Sequence, residues 1–268
     1  MTGMLEQGYM QNAFLVGACV SIVAGVVGFF VVMRGASFAC HALAQIGFAG
    51  AAGAVLIGVD PLFGLLALSL AGSSAIGGLG SRENRRDAST ALVMTAALGL
   101  GALLLVLNRT YATDAFTLLF GTIVGIDRRQ VLETAALMLL CLGAIAVLYR
   151  PLLFSTINAD LARARGVPLR RINAAFLACV AVAVTTSIPT TGTLLIFAMV
   201  VGPPAAAAAL AKRPWTAVAL GIALNLACCW SGIALAYATG LPVGFIIASL
   251  AAALFLVARG YAKLRRAP

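Results

Sequence analysis

Residues 13–33, AFLVGACVSIVAGVVGFFVVM, form a run without a single charged side chain. A helix of this length rises about 30 Å, the thickness of the hydrocarbon core of a bilayer. The pattern predicts an all-α integral membrane protein, a polytopic helical bundle of about eight to nine transmembrane helices in which residues 1–268 form a single domain. Eight more apolar runs follow, at residues 40–58, 62–80, 90–107, 131–149, 172–188, 194–210, 215–239 and 243–257.

The composition supports the same class of protein. Of the 268 residues, 62% are hydrophobic and 10% are charged, whereas an ordinary soluble domain carries about 25% charged residues. This excludes a cytosolic enzyme, a secreted module and a disordered chain. The patterns GxxxxGK[ST], HExxH and GxSxG do not occur in the sequence, so we expect no catalytic residue and no ATP site in this chain.

The basic residues indicate an orientation in the membrane. With nine crossings and the N-terminus outside, fifteen of the 18 lysines and arginines fall on one side, and only Arg109, Arg128 and Arg129 fall on the other. Cytoplasmic loops retain positive charge, so the larger group is assigned to the cytoplasm together with the C-terminus.

Residues 116–126 are too short to cross, and a crossing there would invert every later loop. We expect a short half-helix on the outer side, a type of segment that often lines a solute path.

Polar side chains recur in the second predicted helix, within SFACHALAQIGFAG at residues 37–50. Ser37, His41 and Gln45 are four residues apart and share one helix face, which must contact protein or water rather than lipid. A titratable group inside a span suggests a functional site, and imidazole is a common ligand of transition metals. The alternative is a structural histidine that bonds a neighbouring carbonyl. One imidazole and one amide do not close a four-ligand site, but a weak site suits a conduction path.

Three aspartates lie at predicted outer boundaries. Asp60 precedes a proline, and we expect it to act as a turn and cap residue. Asp114 and Asp127 flank the short outer segment, where carboxylates would raise the cation concentration at the mouth of a path. Ion pairs with Arg109 and Arg128 are the alternative.

The cytoplasmic loop at about residues 150–171, RPLLFSTINADLARARGVPLRR, carries its own helix signals. Asn158 is a good N-cap, Asp160 suits the first turn, and Gly166 is a natural residue just beyond a helix C-terminus. These signals predict a two-turn helix over about residues 159–165.

A helix this short is marginal in water, so its presence suggests that a partner packs against it. Leu161 and Ala162 are the predicted apolar contact. An ordinary basic loop is the alternative.

Small residues and cysteines within the spans are assigned to packing. Small residues allow helix backbones to approach closely, and cysteines without CxxC spacing or a neighbouring histidine are typical of helix cores. The residues are Gly25, Gly28, Gly47, Gly50, Gly53, the alanine run 205–209, Cys19, Cys40, Cys141, Cys179, Cys228 and Cys229.

Four stretches resemble the membrane permeases of zinc, manganese and iron ABC importers, the metal-type family related to the vitamin B12 and siderophore permeases. They are MRGASFACHALAQIGFAGAAG at 33–53, TDAFTLLFG at 113–121, DLARARGV at 160–167 and TGTLLIFAMVVGPPAAAAAL at 191–210. The resemblance extends over nearly the whole chain. It implies a permease subunit in the bacterial inner membrane without ATPase activity of its own.

The resemblance also implies partners. They are a second, identical or similar permease that shares the ion path, most simply in a homodimer, an extracytoplasmic metal-binding protein, and a cytoplasmic ATP-binding subunit. The ATP-binding subunit would grip the loop around Asp160, Leu161, Ala162 and Gly166. The resemblance implies no permanently bound cofactor, only a transported divalent metal ion.

The resemblance assigns Ser37, His41 and Gln45 to the metal path, with His41 as the metal ligand, and Asp114 to the outer mouth. Many family members carry an aspartate and a histidine, four apart, where this chain has His41 and Gln45. Without the carboxylate, zinc is favoured over manganese, which prefers oxygen ligands; iron is also an option.

Two other classes of function compete with an ABC permease. A gradient-driven secondary transporter or channel for a cation usually shows intramembrane carboxylates or an inverted repeat, and neither is evident in the sequence. A membrane scaffold without transport activity would tolerate loss of the whole polar face of the second helix.

Overall fold

The chain is described by a computed structural model that covers residues 8–79, 83–107 and 128–264. The predicted half-helix at 116–126, Asp114, Asp127 and Arg109 lie outside the described residues. The helices are α1 (Gly8–Met33), α2 (Ser37–Leu56), α3 (Pro61–Leu79), α4 (Glu83–Leu107), α5 (Arg128–Ile157), α6 (Ala159–Ala164), α7 (Leu169–Leu210), α8 (Pro214–Thr239) and α9 (Val243–Leu264).

Helix α7 consists of two helices joined at Gly192. Gly192 has φ +77° and ψ 161°, a backbone conformation that is essentially restricted to glycine. The segments on either side, Leu169–Pro189 and Thr191–Leu210, are each long enough to cross a bilayer. Counting them separately, nine helical segments in the described ranges are long and apolar enough to span a membrane. The predicted all-α, polytopic bundle is confirmed.

The predicted loop at 150–171 is much shorter than expected. Helix α5 continues to Ile157, and α7 begins at Leu169. The sequence prediction ended the span at Tyr149, directly before Arg150 and Pro151. The helix extends beyond that point because Leu152, in the added turns, is fully buried and ties them to the bundle.

Helix α7 is the centre of the bundle. It contacts α1, α2, α3, α5, α8 and α9. Most residues of α1, α2 and the first half of α7 are buried within the chain, whereas α4 and α9 expose most of theirs. The exposed side chains of the outer helices are largely apolar; Val147 of α5, for example, is 83% exposed. Such a surface suits lipid or another membrane-spanning chain.

Close backbone contacts explain the glycines of α1 and α2. A Cβ atom on Gly50 would collide with the carbonyl group of Gly64 in α3, and one on Gly28 would collide with the carbonyl oxygen of Val200 in α7. The six cysteines are free thiols; all are buried except Cys19, which is half-buried. For Gly28, Gly50 and the buried cysteines, the assignment to packing is confirmed.

Candidate functional site

The polar face of α2 begins immediately after a tight turn. Gly35, with φ +62°, ends the connection from α1, and Ala36 caps the start of α2 at Ser37. Ser37, His41 and Gln45 follow on successive turns, and each is half-buried. The three predicted path residues therefore lie on one helical segment that is partly covered by the bundle.

His41 packs against Phe197 of α7. The ring centroids are 5.0 Å apart and the ring planes are inclined by 63°, an edge-to-face contact. The Nδ1 atom of His41 is buried and has no hydrogen-bond partner among the described residues. An unpaired buried polar atom costs about 1–3 kcal/mol, so this nitrogen is well suited to bind a ligand. A bond from Nδ1 to a neighbouring carbonyl, as a structural histidine would make, is not found in the part of the chain described.

A groove of about 840 Å³ lies beside this contact. Ser37 and Phe197 line it, and Arg259 and Lys263 of α9 line its basic end. The groove is otherwise walled mainly by small apolar residues of α7 and α9, namely Ala198, Val201, Gly202, Ala205, Ala209, Ala248, Ala251, Ala252 and Ala262, together with Val32 and Phe255.

The register between α2 and α7 adds a polar residue that sequence reasoning missed. Ser37 shares the groove with Ala205, whereas His41, one turn further along α2, contacts Phe197. A Cβ atom on Gly47, further along α2, would meet Thr185, earlier in α7, so the two helices run in opposite directions. Thr193 lies between Thr185 and Phe197 in the sequence of α7. The Thr193 hydroxyl is buried and lacks a hydrogen-bond partner within the described ranges. The sequence feature that could have pointed to Thr193 is its position next to Gly192, the glycine at the break in α7.

The donor atoms within one chain are few. Among the described residues, no three histidine, cysteine, aspartate or glutamate side chains form a group that could hold a metal ion. Cys40 is next to His41 in sequence but is fully buried, on a face about 100° away. The described part of one copy thus offers an imidazole with amide and hydroxyl oxygens on the same helix face, a set too small for permanent metal binding.

The short helix predicted between the fifth and sixth spans is present. Helix α6 spans Ala159–Ala164, and the Oδ1 atom of Asn158 accepts a hydrogen bond from the Leu161 amide at 2.9 Å. Asp160 lies in the first turn, where a negative charge favours the positive end of the helix dipole. Gly166 has φ +77° beyond the C-terminus. The N-cap and the terminating glycine are both confirmed.

The surface of α6 differs from the prediction at one residue. Leu161 is 44% exposed, but Ala162 is fully buried within the chain. The prediction that Ala162 faces a partner is therefore wrong: a six-residue helix must bury one side against α5 and α7, which it contacts, and Ala162 lies on that side. The exposed side carries Leu161, Asp160 and Arg163. The Oδ1 atom of Asp160 and the Nη1 atom of Arg163 are 3.7 Å apart.

Asp60 has the structural role expected of it. Its Oδ1 atom accepts a hydrogen bond from the Leu62 amide at 2.8 Å at the start of α3. Asp60 therefore satisfies a backbone donor at a helix N-terminus.

The fold and these features define a multi-pass membrane protein with a polar helix face inside its bundle and a capped surface helix between α5 and α7. The chain belongs to the ABC 3 transport family, whose sequence pattern matches residues 6–262. The resemblance to the metal-type ABC permeases is thereby confirmed.

Relatives and a solved structure agree with this family. The chain is 27% identical to the manganese import system permease protein ScaB of Streptococcus parasanguinis, over 95% of this chain and 91% of ScaB. It is 27% identical to the manganese transport system membrane protein MntC of Halalkalibacterium halodurans, over 95% of this chain and 88% of MntC. Its fold is similar to that of PsaBC from Streptococcus pneumoniae, solved in complex with Fab, with a TM-score of 0.84 and 26% identity over 99% of this chain and 98% of the other.

Proposed function

We propose that this chain is the permease subunit of an ATP-driven importer of a divalent transition metal in the bacterial inner membrane. The observation that carries the proposal is His41, a half-buried imidazole on a membrane-spanning helix whose Nδ1 atom has no partner in the described chain. In a chain of the ABC 3 transport family, this is the side chain best suited to bind a metal ion in transit.

The small donor set supports a shared path between two copies of the chain. A homodimer would supply two His41 imidazoles and two Gln45 amides, with the Ser37 hydroxyl one turn before His41 on the same helix face. Such a site binds weakly enough to release its ion, which transport requires. A protein that stores or permanently holds the metal would need a closed set of ligands.

Zinc is the metal that the side chains favour. Zinc accepts nitrogen ligands readily, whereas manganese prefers carboxylate and water oxygens, and the described polar face of α2 carries no carboxylate. Manganese is the second candidate, because the relatives ScaB and MntC are named as manganese transport proteins. Iron is the third candidate.

The distribution of basic residues supports the proposed orientation. The Arg34 side chain contacts Thr156 near the end of α5, and the groove that begins at Ser37 is also lined by Arg259 and Lys263. These basic residues therefore share one end of the bundle, which the positive-inside rule assigns to the cytoplasm.

The proposed partners bind opposite ends of the bundle. A separate ATP-binding subunit would grip α6 at the cytoplasmic end, where Leu161 and Asp160 are exposed. An extracytoplasmic metal-binding protein would deliver the ion at the other end. Asp114 is proposed to line that outer mouth.

Reconstitution of the permease with its ATP-binding subunit in liposomes tests this proposal. We expect ATP-dependent uptake of zinc, with manganese and iron as competitors, and loss of at least nine tenths of that uptake in His41→Ala. The matched control is Cys40→Ala, which removes a neighbouring buried side chain on another face and should transport normally.

Two outcomes would contradict the proposal. Full uptake by His41→Ala would exclude this residue from the path. Metal flux through the chain alone, without ATP or an ATP-binding subunit, would support a gradient-driven transporter or channel instead.

A further inference from the structure

The side chain of Arg34 joins the two helices that flank α6. Arg34 is half-buried and lies directly after the last residue of α1. Its Nη1 atom donates hydrogen bonds to the Ser155 hydroxyl at 3.0 Å and the Thr156 hydroxyl at 3.1 Å. Its Nη2 atom donates to Oδ1 of Asn173 at 3.4 Å. One guanidinium thus binds side chains from two separate helices.

These acceptors lie on the two helices that α6 connects. Ser155 and Thr156 belong to the last turn of α5, and Asn173 belongs to the second turn of α7. The guanidinium carbon also lies 5.3 Å from the centre of the Phe176 ring, one turn beyond Asn173. A movement of α6 that pulls on the end of α5 or the start of α7 would therefore act on the atoms that Arg34 binds.

The hydroxyl groups of Ser155 and Thr156 are oriented to accept hydrogen bonds from Arg34. Ser155 and Thr156 donate their own protons to the carbonyl oxygen of Leu152, at 2.9 Å and 2.7 Å. Their lone pairs are then left for the guanidinium. Because Leu152 is fully buried, the last turn of α5 is anchored in the bundle at the point where Arg34 binds it.

Arg34 is also tied closely to α2. Only Gly35 and Ala36 separate it from Ser37, the first residue of that helix. The turn is closed by hydrogen bonds from the Gly35 amide to the Val32 carbonyl at 3.2 Å and from the Ala36 amide to the Val31 carbonyl at 2.8 Å. This short, hydrogen-bonded connection transmits movement better than a flexible loop would, and α2 is the helix that carries His41.

We propose that Arg34 is a positioning residue that couples movement of α6 to α2, and so links the ATP-binding subunit to the metal path. This role rests on the proposed function. A guanidinium suits it because its planar fork presents several N–H groups at fixed angles, so that it can bind α5 and α7 at the same time. The ammonium group of lysine is a point charge on a flexible stem and cannot hold both helices in one geometry.

The test measures metal transport and ATP hydrolysis in the same liposomes, with the complete complex. We expect Arg34→Met to assemble with the ATP-binding subunit and to hydrolyse ATP at no less than half the wild-type rate. The metal transported per ATP should fall at least fivefold, through the maximal rate rather than the KM for metal. Arg34→Lys should restore only a small part of this ratio.

Two further variants separate coupling from general damage. The S155A/T156V variant removes the two acceptors on α5 and leaves Arg34 intact, and we expect it to lower the transport-to-hydrolysis ratio at least twofold. If Arg34→Met does not assemble, this variant decides the question. Arg213→Met is the matched control, because Arg213 is an exposed arginine in the turn between α7 and α8; its ratio should equal that of the wild type.

The outcomes distinguish the two proposals. A wild-type complex that transports metal, with an unchanged ratio in both Arg34→Met and S155A/T156V, would overturn only the role of Arg34. An equal fall of the ratio in Arg213→Met would also overturn it. A wild-type complex that transports no metal would overturn the proposed function itself.

Discussion

The His41 ring meets the Phe197 ring edge to face, with 5.0 Å between their centroids. Phe197 also lines the groove between α7 and α9, whereas His41 is not among the residues that line it. Phe197 therefore contacts the imidazole and also forms part of the groove wall. This contact makes the exposure of His41 depend on the position of one aromatic side chain of α7.

Removing that ring should expose His41 to the groove. We expect Phe197→Ala to increase the rate of His41 modification by diethylpyrocarbonate at least threefold. The measurement is unambiguous because His41 is the only histidine of the chain. Phe245→Ala, which removes an exposed phenylalanine near the start of α9, is the control and should leave the rate unchanged. An unchanged rate in Phe197→Ala would show that the ring does not shield the imidazole.

The N-cap of α6 should contribute to binding of the ATP-binding subunit. Asn158→Ala removes the acceptor for the Leu161 amide, and loss of an N-cap costs about 1 kcal/mol. Because the bound state needs the helix formed, we expect the Kd for the ATP-binding subunit to rise roughly fivefold. Titration of the purified permease measures this change. Asn158→Asp keeps an acceptor at the same place and should bind like the wild type; equal binding by Asn158→Ala would contradict the prediction.

Substitutions of Leu161 and Ala162, neighbours in α6, should affect different properties: partner binding for Leu161 and thermal stability for Ala162. Leu161→Ala changes an exposed side chain, so we expect weaker binding of the ATP-binding subunit and an unchanged unfolding temperature. Ala162→Leu inserts volume at a fully buried position, which typically costs about 1–3 kcal/mol, so the unfolding temperature should fall. Thermal unfolding and titration of both variants check this pair, and a stable Ala162→Leu variant would show that Ala162 faces outward.

The buried amide of Asn225 should lower the stability of the fold. Asn225 of α8 is fully buried, and neither its nitrogen nor its oxygen has a hydrogen-bond partner in the described ranges. Because an unsatisfied buried group costs about 1–3 kcal/mol, Asn225→Leu, of similar size, should raise the unfolding temperature by several degrees. Asn225→Asp would bury a charge and should lower it. A lower unfolding temperature in Asn225→Leu would show that the amide is paired in the membrane.

Local signals predicted much of the molecule correctly. Apolar runs of about 20 residues predicted the nine candidate spans of the described residues, because a helix in lipid must satisfy its own backbone hydrogen bonds. Asn158, Asp160 and Gly166 predicted α6 to within one residue, because capping depends on residues close together in sequence. Gly50 predicted that a neighbouring helix approaches closely, but the sequence did not identify Gly64 as the residue it contacts.

Properties that depend on distant residues were missed or wrong. The direction that Ala162 faces, the extension of α5 to Ile157 and the buried Thr193 hydroxyl all depend on which helices lie alongside. A single sequence does not contain that information, because several packings of the same helices bury similar apolar areas.

Sequence patterns alone were enough to predict the apolar spans of the described residues, the bounds of the short helix α6 to within one residue, and the polar face of α2 that carries His41. The contact of His41 with Phe197, and the hydrogen bonds of Arg34 to the end of α5 and the start of α7, are visible only in the folded bundle. The physical reason is the range of the interactions. Bilayer insertion and helix capping act along the chain within one helix, whereas ring contacts and guanidinium hydrogen bonds join residues up to 156 positions apart.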